Sequence, residues 1–136
     1  MNKYEHLISK GVEQPLEMVQ AHHAAPFTLY VMLEKDAVRG EGVKIVAHVI
    51  TDLPHVIPPY CDLHSHDCDE INFITSDSSL RYRIQLEDEV YEVESPCTIY
   101  IPSGIRHRAE VLSGRGVYVA IIFTDNYRAF QSNGSQ

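Results

Sequence analysis

The sequence predicts an all-β protein, a barrel or two-sheet sandwich. Three observations carry that reading: strict apolar/polar alternation, turn residues at short and regular intervals, and no long segment of helical period. Alternation is clearest where Leu80, Tyr82, Ile84 and Leu86 take one side and Arg81, Arg83, Gln85 and Glu87 the other. Clusters such as Ser76-Asp77-Ser78-Ser79, Glu87-Asp88-Glu89 and Ser113-Gly114-Arg115-Gly116 punctuate the chain and leave about nine short strands between them.

Taken in order, the first segment has the least pattern. Leu7, Ile8, Val12, Leu16 and Val19 fall on one helical face, but Gly11 and Pro15 interrupt it. A short helix or two, or an irregular arm, is expected over residues 1–26. Phe27 to Leu33 reads as a strand, Glu34 to Gly42 as a charged stretch ending in a Gly40-Glu41-Gly42 turn, and Val43 to Ile50 as a β-branched strand. Prolines at 54, 58 and 59 lead into a short strand at Leu63 to His66, a turn at Asp67-Cys68-Asp69 and a return strand from Glu70 to Thr75. Strands follow at Leu80 to Glu87, Val90 to Val93, Thr98 to Ile101, Ile105 to Leu112 and Val117 to Phe123. The barrel is thus expected over 27–125, with a polar tail at 126–136 frayed at its end.

Size and composition narrow the function. A chain of 136 residues with 44% hydrophobic content makes one domain with a real core. Its formal charge of −8 argues against nucleic acid, whose binding depends on neutralised phosphates. Apolar runs such as Val117 to Phe123 are too short to span a bilayer. The first residues show no charged-then-apolar leader, and Cys61, Cys68 and Cys97 are an odd count. Reduced thiols in the cytoplasm are the expectation.

The chemistry concentrates in two short motifs. His64-Ser65-His66-Asp67-Cys68-Asp69-Glu70 reads HxHxxxE, and Pro102-Ser103-Gly104-Ile105-Arg106-His107 reads PxGxxH. On an extended strand His64 and His66 share a face about 7 Å apart, which suits two nitrogens on one ion with bonds of about 2 Å. Glu70 can join them once the 67–69 turn brings the chain back, and His107 arrives from a distant strand at the Pro-x-Gly corner. With eight histidines in the chain, either motif alone would be weak; His6, His22, His23, His48 and His55 need no metal. His48 and His55 are the better placed of these to approach a pocket and are left unassigned. A Cys61-x-x-His64-x-His66-x-Cys68 zinc site is an alternative, but it leaves Glu70 and His107 unexplained.

In this order and spacing the two motifs resemble those of the cupins, small jelly-roll β-barrels that hold a metal inside. The resemblance covers about residues 58–111. It implies a cupin-type jelly-roll barrel with His64, His66, Glu70 and His107 as ligands of one divalent transition metal. The usual glycines and asparagine that flank these motifs are replaced by Pro58, Asp77, Pro96 and Val111, which alters turns and not ligands. The ligand types suit iron, manganese, nickel, zinc or copper, with iron slightly favoured because two histidines and a carboxylate with open positions resemble non-haem iron oxygenases.

The functional expectation is a metal-dependent enzyme acting on a small oxygen-rich substrate, a hydroxy acid, keto acid or enol. Dioxygenase-type chemistry stands ahead of lyase or isomerase chemistry, and a non-catalytic small-molecule-binding cupin is the other class. Glu70 is the candidate catalytic base. Asn72, which shares Glu70's parity, and Tyr82 and Arg83 are candidate substrate contacts, although an Arg-x-Arg face is more often a solvated one. The resemblance further implies a homodimer paired through an outer sheet face.

Overall fold

The structure is a computed structural model; it describes residues 3–38, 41–124 and 130–131, with backbone alone at 36–38, 41 and 130–131. Eleven strands are present among the described residues: β1 Val12–Gln14, β2 Thr28–Val38, β3 Glu41–Ile50, β4 His64–Ser65, β5 Glu70–Thr75, β6 Leu80–Leu86, β7 Glu89–Glu94, β8 Cys97–Ile101, β9 His107–Gly114, β10 Gly116–Ile122 and β11 Phe130–Gln131. They form two antiparallel sheets, one of order β1-β2-β3-β10-β5-β8 and one of order β11-β4-β9-β6-β7. Among the described residues helix is limited to single 3₁₀ turns at Glu5–Leu7 and Leu16–Met18, in keeping with the proline and glycine of the arm. Among the described residues no helix is long and apolar enough to cross a membrane.

The strand alternation read from the sequence becomes an inside and an outside. On β6, Leu80, Tyr82 and Ile84 are buried while Arg83 is exposed, and Arg81 pairs on the outer surface with Glu92 at 2.7 Å. Glu70, Asn72 and Ile74 of β5 point inward. The core lies between the sheets, with Ile50, Tyr60, Ile74, Leu80 and Tyr82 almost wholly excluded from water. Each such aliphatic side chain contributes about 1.5–3 kcal/mol.

Three elements depart from the sequence reading. Val12–Gln14, assigned to a helical or irregular arm, is an edge strand in register with Leu29 to Val31 of β2; tertiary pairing overrides a weak local pattern. β2 extends through the charged stretch to Val38, paired with β3 across two register shifts, because edge-facing charges do not prevent a ladder from continuing. The expected Gly40-Glu41-Gly42 turn lies partly outside the described residues. So does most of the 126–136 tail, of which Phe130–Gln131 pairs with β4.

The chain passes repeatedly from one sheet to the other, and two of these crossings bear on the site and its frame. Asp67-Cys68-Asp69 carries it from β4 to β5, and Gly114-Arg115-Gly116 from β9 to β10. At the second crossing Gly114 has φ +98°, and a Cβ there would sit 2.1 Å from the Ser79 carbonyl oxygen. That same carbonyl accepts the Arg115 amide at 2.9 Å, so the contact cannot open without losing a hydrogen bond. Gly114→Ala is therefore expected to destabilise the fold by about 2 kcal/mol or more. Urea unfolding should show a lower midpoint at unchanged slope; an unshifted midpoint would contradict this close approach.

Candidate metal centre

The two sheets meet at the site. His64 opens β4 and pairs directly with His107, the first residue of β9, so both rings leave one sheet side by side. His66 follows at the end of the short strand. Glu70 comes from the other sheet, as the first residue of β5, opposite Ile122 and Ile101. The return strand expected beside His64 and His66 does not form there; the 67–69 turn sends the chain across the barrel, and Glu70 faces the histidines from the opposing wall.

Local bonds hold each part. The His64 Nδ1–H donates to the Asp62 carbonyl at 2.6 Å and the His107 Nδ1–H to the Ile105 carbonyl at 2.9 Å. A carbonyl only accepts, so the proton sits on Nδ1 and each Nε2 keeps a lone pair. The Pro-x-Gly corner that delivers His107 is closed by the Ile105 amide on the Pro102 carbonyl (3.2 Å), with Gly104 at φ +89°, the left-handed position of a type II turn. The Gly104 amide donates in turn to the His66 carbonyl at 2.8 Å. Asp69 accepts the Ser103 amide at 2.9 Å and the Tyr100 hydroxyl at 3.2 Å. The two sequence motifs are thus bonded to each other through backbone.

One potential ligand atom from each of His64, His66 and His107 lies within 4.8 Å of the others. Glu70 Oε1 is 3.2 Å from His66 Nε2 and 3.5 Å from His107 Nε2. All four residues are at most 5% exposed. Glu70 Oε1 and His107 Nε2 are buried with no hydrogen-bond partner. Two lone pairs at this separation need a positive centre between them, either a second proton on His107 or a cation. A divalent ion fits this donor set and would satisfy both orphaned atoms.

The electrostatics agree. Burial alone would raise the Glu70 pKa, but contacts with His107 and then His66 hold it well below the carboxylate range. Burial opposes a charge on His107, yet Glu70 outweighs it and raises that pKa. Burial, with help from neighbouring His107, drops His64 to about 3. Glu70 as an ionised carboxylate and His64 as a neutral imidazole are in the forms a metal needs, and the proton that Glu70 favours on His107 is one that a cation would displace.

Beside the cluster is a cavity offering about 50 Å³ to the centres of water-sized molecules. Its walls include Leu29, Val46, His48, Tyr118 and Ala120 from the six-stranded sheet, and Leu16, Val19 and His22 from the arm. His48 is stacked on Phe27 (ring centroids 4.8 Å) and tilted against Tyr118 (4.9 Å), which stacks on Tyr82. Burial pushes His48 down to about 3.

The structure brings His64, His66, Glu70 and His107 together. Asn72 and Tyr82 point inward but do not line this cavity; Tyr82 belongs to the aromatic core. Arg83 is exposed on the outer face of β6 and does not reach the cavity, because it has the opposite parity to Tyr82. Of the two unassigned histidines, His48 lines the cavity while His55 is exposed in a loop. His22 also lines it and was not singled out by sequence. Its place depends on a non-local bridge to Cys61, reached through Ala21 in a left-handed conformation (φ 67°). Neither Cys61 nor Cys68 joins the histidine cluster among the described residues. Cys61 is buried and its thiol is raised to about 12 by burial, which suits a small core residue.

No family model and no curated relative matches the chain. Solved structures do. The polyketide cyclase RemF from Streptomyces resistomycificus superposes over 100% of this chain and 88% of its own, with TM-score 0.60 at 14% identity. A cupin 2 conserved barrel domain protein from Rhodopseudomonas palustris gives TM-score 0.61 at 9% identity, over 93% of this chain and 79% of its own. The fold is that of the cupins. Bacillus subtilis oxalate decarboxylase also carries it, with TM-score 0.53 at 18% identity over 91% of this chain and 32% of its own. This cupin barrel therefore presents a buried three-histidine cluster able to hold a metal, with Glu70 against it.

A pH dependence follows from His48. Its folded pKa lies near 3, against 6.5 ordinarily, so below pH 6.5 the unfolded chain takes up a proton that the folded one refuses. The stability this group confers is complete above pH 6.5 and is lost as the pH falls towards 3. The expected slope is up to about 1.4 kcal/mol per pH unit from this one group. In metal-free protein, His48→Phe should flatten the fall in unfolding free energy between pH 6 and 4 by about one proton's worth. An unchanged slope in chemical denaturation would refute the assignment.

Proposed function

We propose that the protein is a metal-dependent enzyme acting on a small oxygen-rich substrate, a hydroxy acid, keto acid or enol, with dioxygenase-type chemistry as the first reading. The observation that carries the proposal is the convergence of Glu70 Oε1 and the lone-pair nitrogens of His64 and His107 beside a mostly apolar cavity. His64, His66, His107 and Glu70 would hold the ion. When bound, it would supply Lewis acidity to a coordinated substrate oxygen or, as iron, a centre for O₂ chemistry.

The chain's own residues supply the rest. The Asp62 and Ile105 carbonyls orient two imidazoles before anything binds, so little reorganisation remains. Leu29, Val46, Ala120 and Ile122 exclude water from the space beside the cluster, which strengthens polar interactions there. Glu70 stays ionised and, once released from the ion, can accept a proton from a substrate carbon or hydroxyl, though its lowered pKa makes it a mild base. Lyase or isomerase chemistry is the second reading. It is favoured by the fold shared with proteins named as a polyketide cyclase and an oxalate decarboxylase. Three free cysteines support a reducing compartment, the cytoplasm.

Metal content by mass spectrometry should give about one equivalent in the wild type and nearly none in His64→Ala/His107→Ala. Iron in the wild type directs the search to oxygen-consumption assays, and zinc, nickel or manganese to lyase or isomerase substrates. Glu70→Gln is expected to retain part of the metal and lose turnover by about 10²-fold or more. A wild type that takes up no metal on reconstitution overturns the reading.

A homodimer belongs to the same proposal. On the outer face of the six-stranded sheet, Val119 sits between Ala47 and Phe73, and Ile121 between Ile45 and Ile71. Two apolar rows side by side on a sheet face make suitable material for a second copy. Phe73→Glu should shift sedimentation from dimer to monomer while metal content stays unchanged; a wild type that sediments as a monomer at micromolar concentration refutes it.

A further inference from the structure

Lys44 stands out among the residues around the cavity. It is the sole lysine or arginine among the described residues that line it. Its side chain is 17% exposed, far below the habit of lysine. It sits on the inward parity of β3 with Val46 and His48, and its cross-strand neighbour on β10 is Ile122, whose neighbour on β5 is Glu70. Lys44 and Glu70 therefore occupy one row of the sheet, two strand spacings apart. At 4.7–4.9 Å per spacing that is about 10 Å between their backbones. Lys44 thus shares a row of the sheet with Glu70 and lines the cavity that the histidines also line.

Its ion pair with Glu34 is weak: Glu34 Oε2 lies 3.8 Å from Lys44 Nζ and Glu34 is 65% exposed, so that pair is worth little. Apart from the Glu70 carboxylate and the Cys61 thiol, the rest of the wall is aliphatic, aromatic or imidazole. At roughly 10–15 Å³ of such space per water, the cavity holds about three to five water-sized groups. That is the bulk of a three- or four-carbon acid.

We propose that Lys44 is the anion-binding residue of this cavity, and that the ligand is a small organic carboxylate spanning from Lys44 to the His64–His66–His107 cluster. The carboxylate meets the ammonium, and a 2-oxo or 2-hydroxy oxygen faces the cluster. This narrows the substrate class of the reading above and rests on it only for the metal end.

The test is calorimetric titration with two matched pairs, pyruvate against pyruvamide and lactate against lactamide, using the full chain loaded with zinc and, in parallel, the metal-free chain. The wild type should bind each acid about tenfold or more tightly than its amide, the size of a charge-assisted hydrogen bond. Lys44→Met should reduce the acids to the level of the amides, with amide affinity and metal stoichiometry unchanged. Lys44→Arg should keep part of the preference, and Glu34→Gln should keep or increase it. Equal affinity for acid and amide in the wild type, a preference that survives Lys44→Met, or no binding of either acid at millimolar concentration overturns the proposal. If zinc fails to load but the metal-free protein still prefers acid over amide through Lys44, the metal reading falls and the anion site stands.

Discussion

Everything in this barrel is arranged around the burial of one ionised carboxylate. Glu70 is 5% exposed, and an isolated carboxylate at such depth costs many kcal/mol unless opposed by positive charge and donors. The chain answers by bringing His66 and His107 against it from the other sheet. Because Glu70 and the histidines belong to different sheets, the distance between the sheets is set at this point by polar contacts as well as by side-chain volume. The same arrangement leaves orphaned acceptor atoms at Glu70 and His107, so what makes the site costly when empty is what would make it bind a cation.

Backbone carries most of the precision. His64 and His107 are oriented by carbonyls two residues before each, and the corner before His107 is tied to the His66 carbonyl and to the Asp69 carboxylate. Such bonds do not depend on flexible side chains, so the cluster is rigid for the same reason that the crossing between sheets is tight. The arm adds the remaining wall. Through Leu16, Val19 and His22 it lines the cavity together with the two sheets.

The cavity sorts its polar groups by position. The histidines and Glu70 lie at one end, Lys44 shares a sheet row with Glu70, and His48 lies two rows deeper between aromatic rings. The inner surface thus has a charged end and a neutral end. Under the anion-site proposal, the carbon skeleton of a small acid would lie against Val46, Ala120 and Tyr118.

The all-β class, most strand positions and the inward set of β6 were legible in the sequence, because alternation and turn chemistry are local and a strand buries every second residue. So were His64, His66, Glu70 and His107 as a group, since the first three are close in sequence and the Pro-x-Gly corner marks the fourth. The rest was decided by contacts between distant segments. Val12–Gln14 became a strand only because β2 offered an edge. His22 reached the cavity only through its bridge to Cys61. Lys44 and Arg83 each sit in an alternating strand, yet one lines the cavity and the other faces water. Periodicity reveals that two faces exist; only the register against β10 and the packing of the second sheet decide which residues of a face lie beside the site.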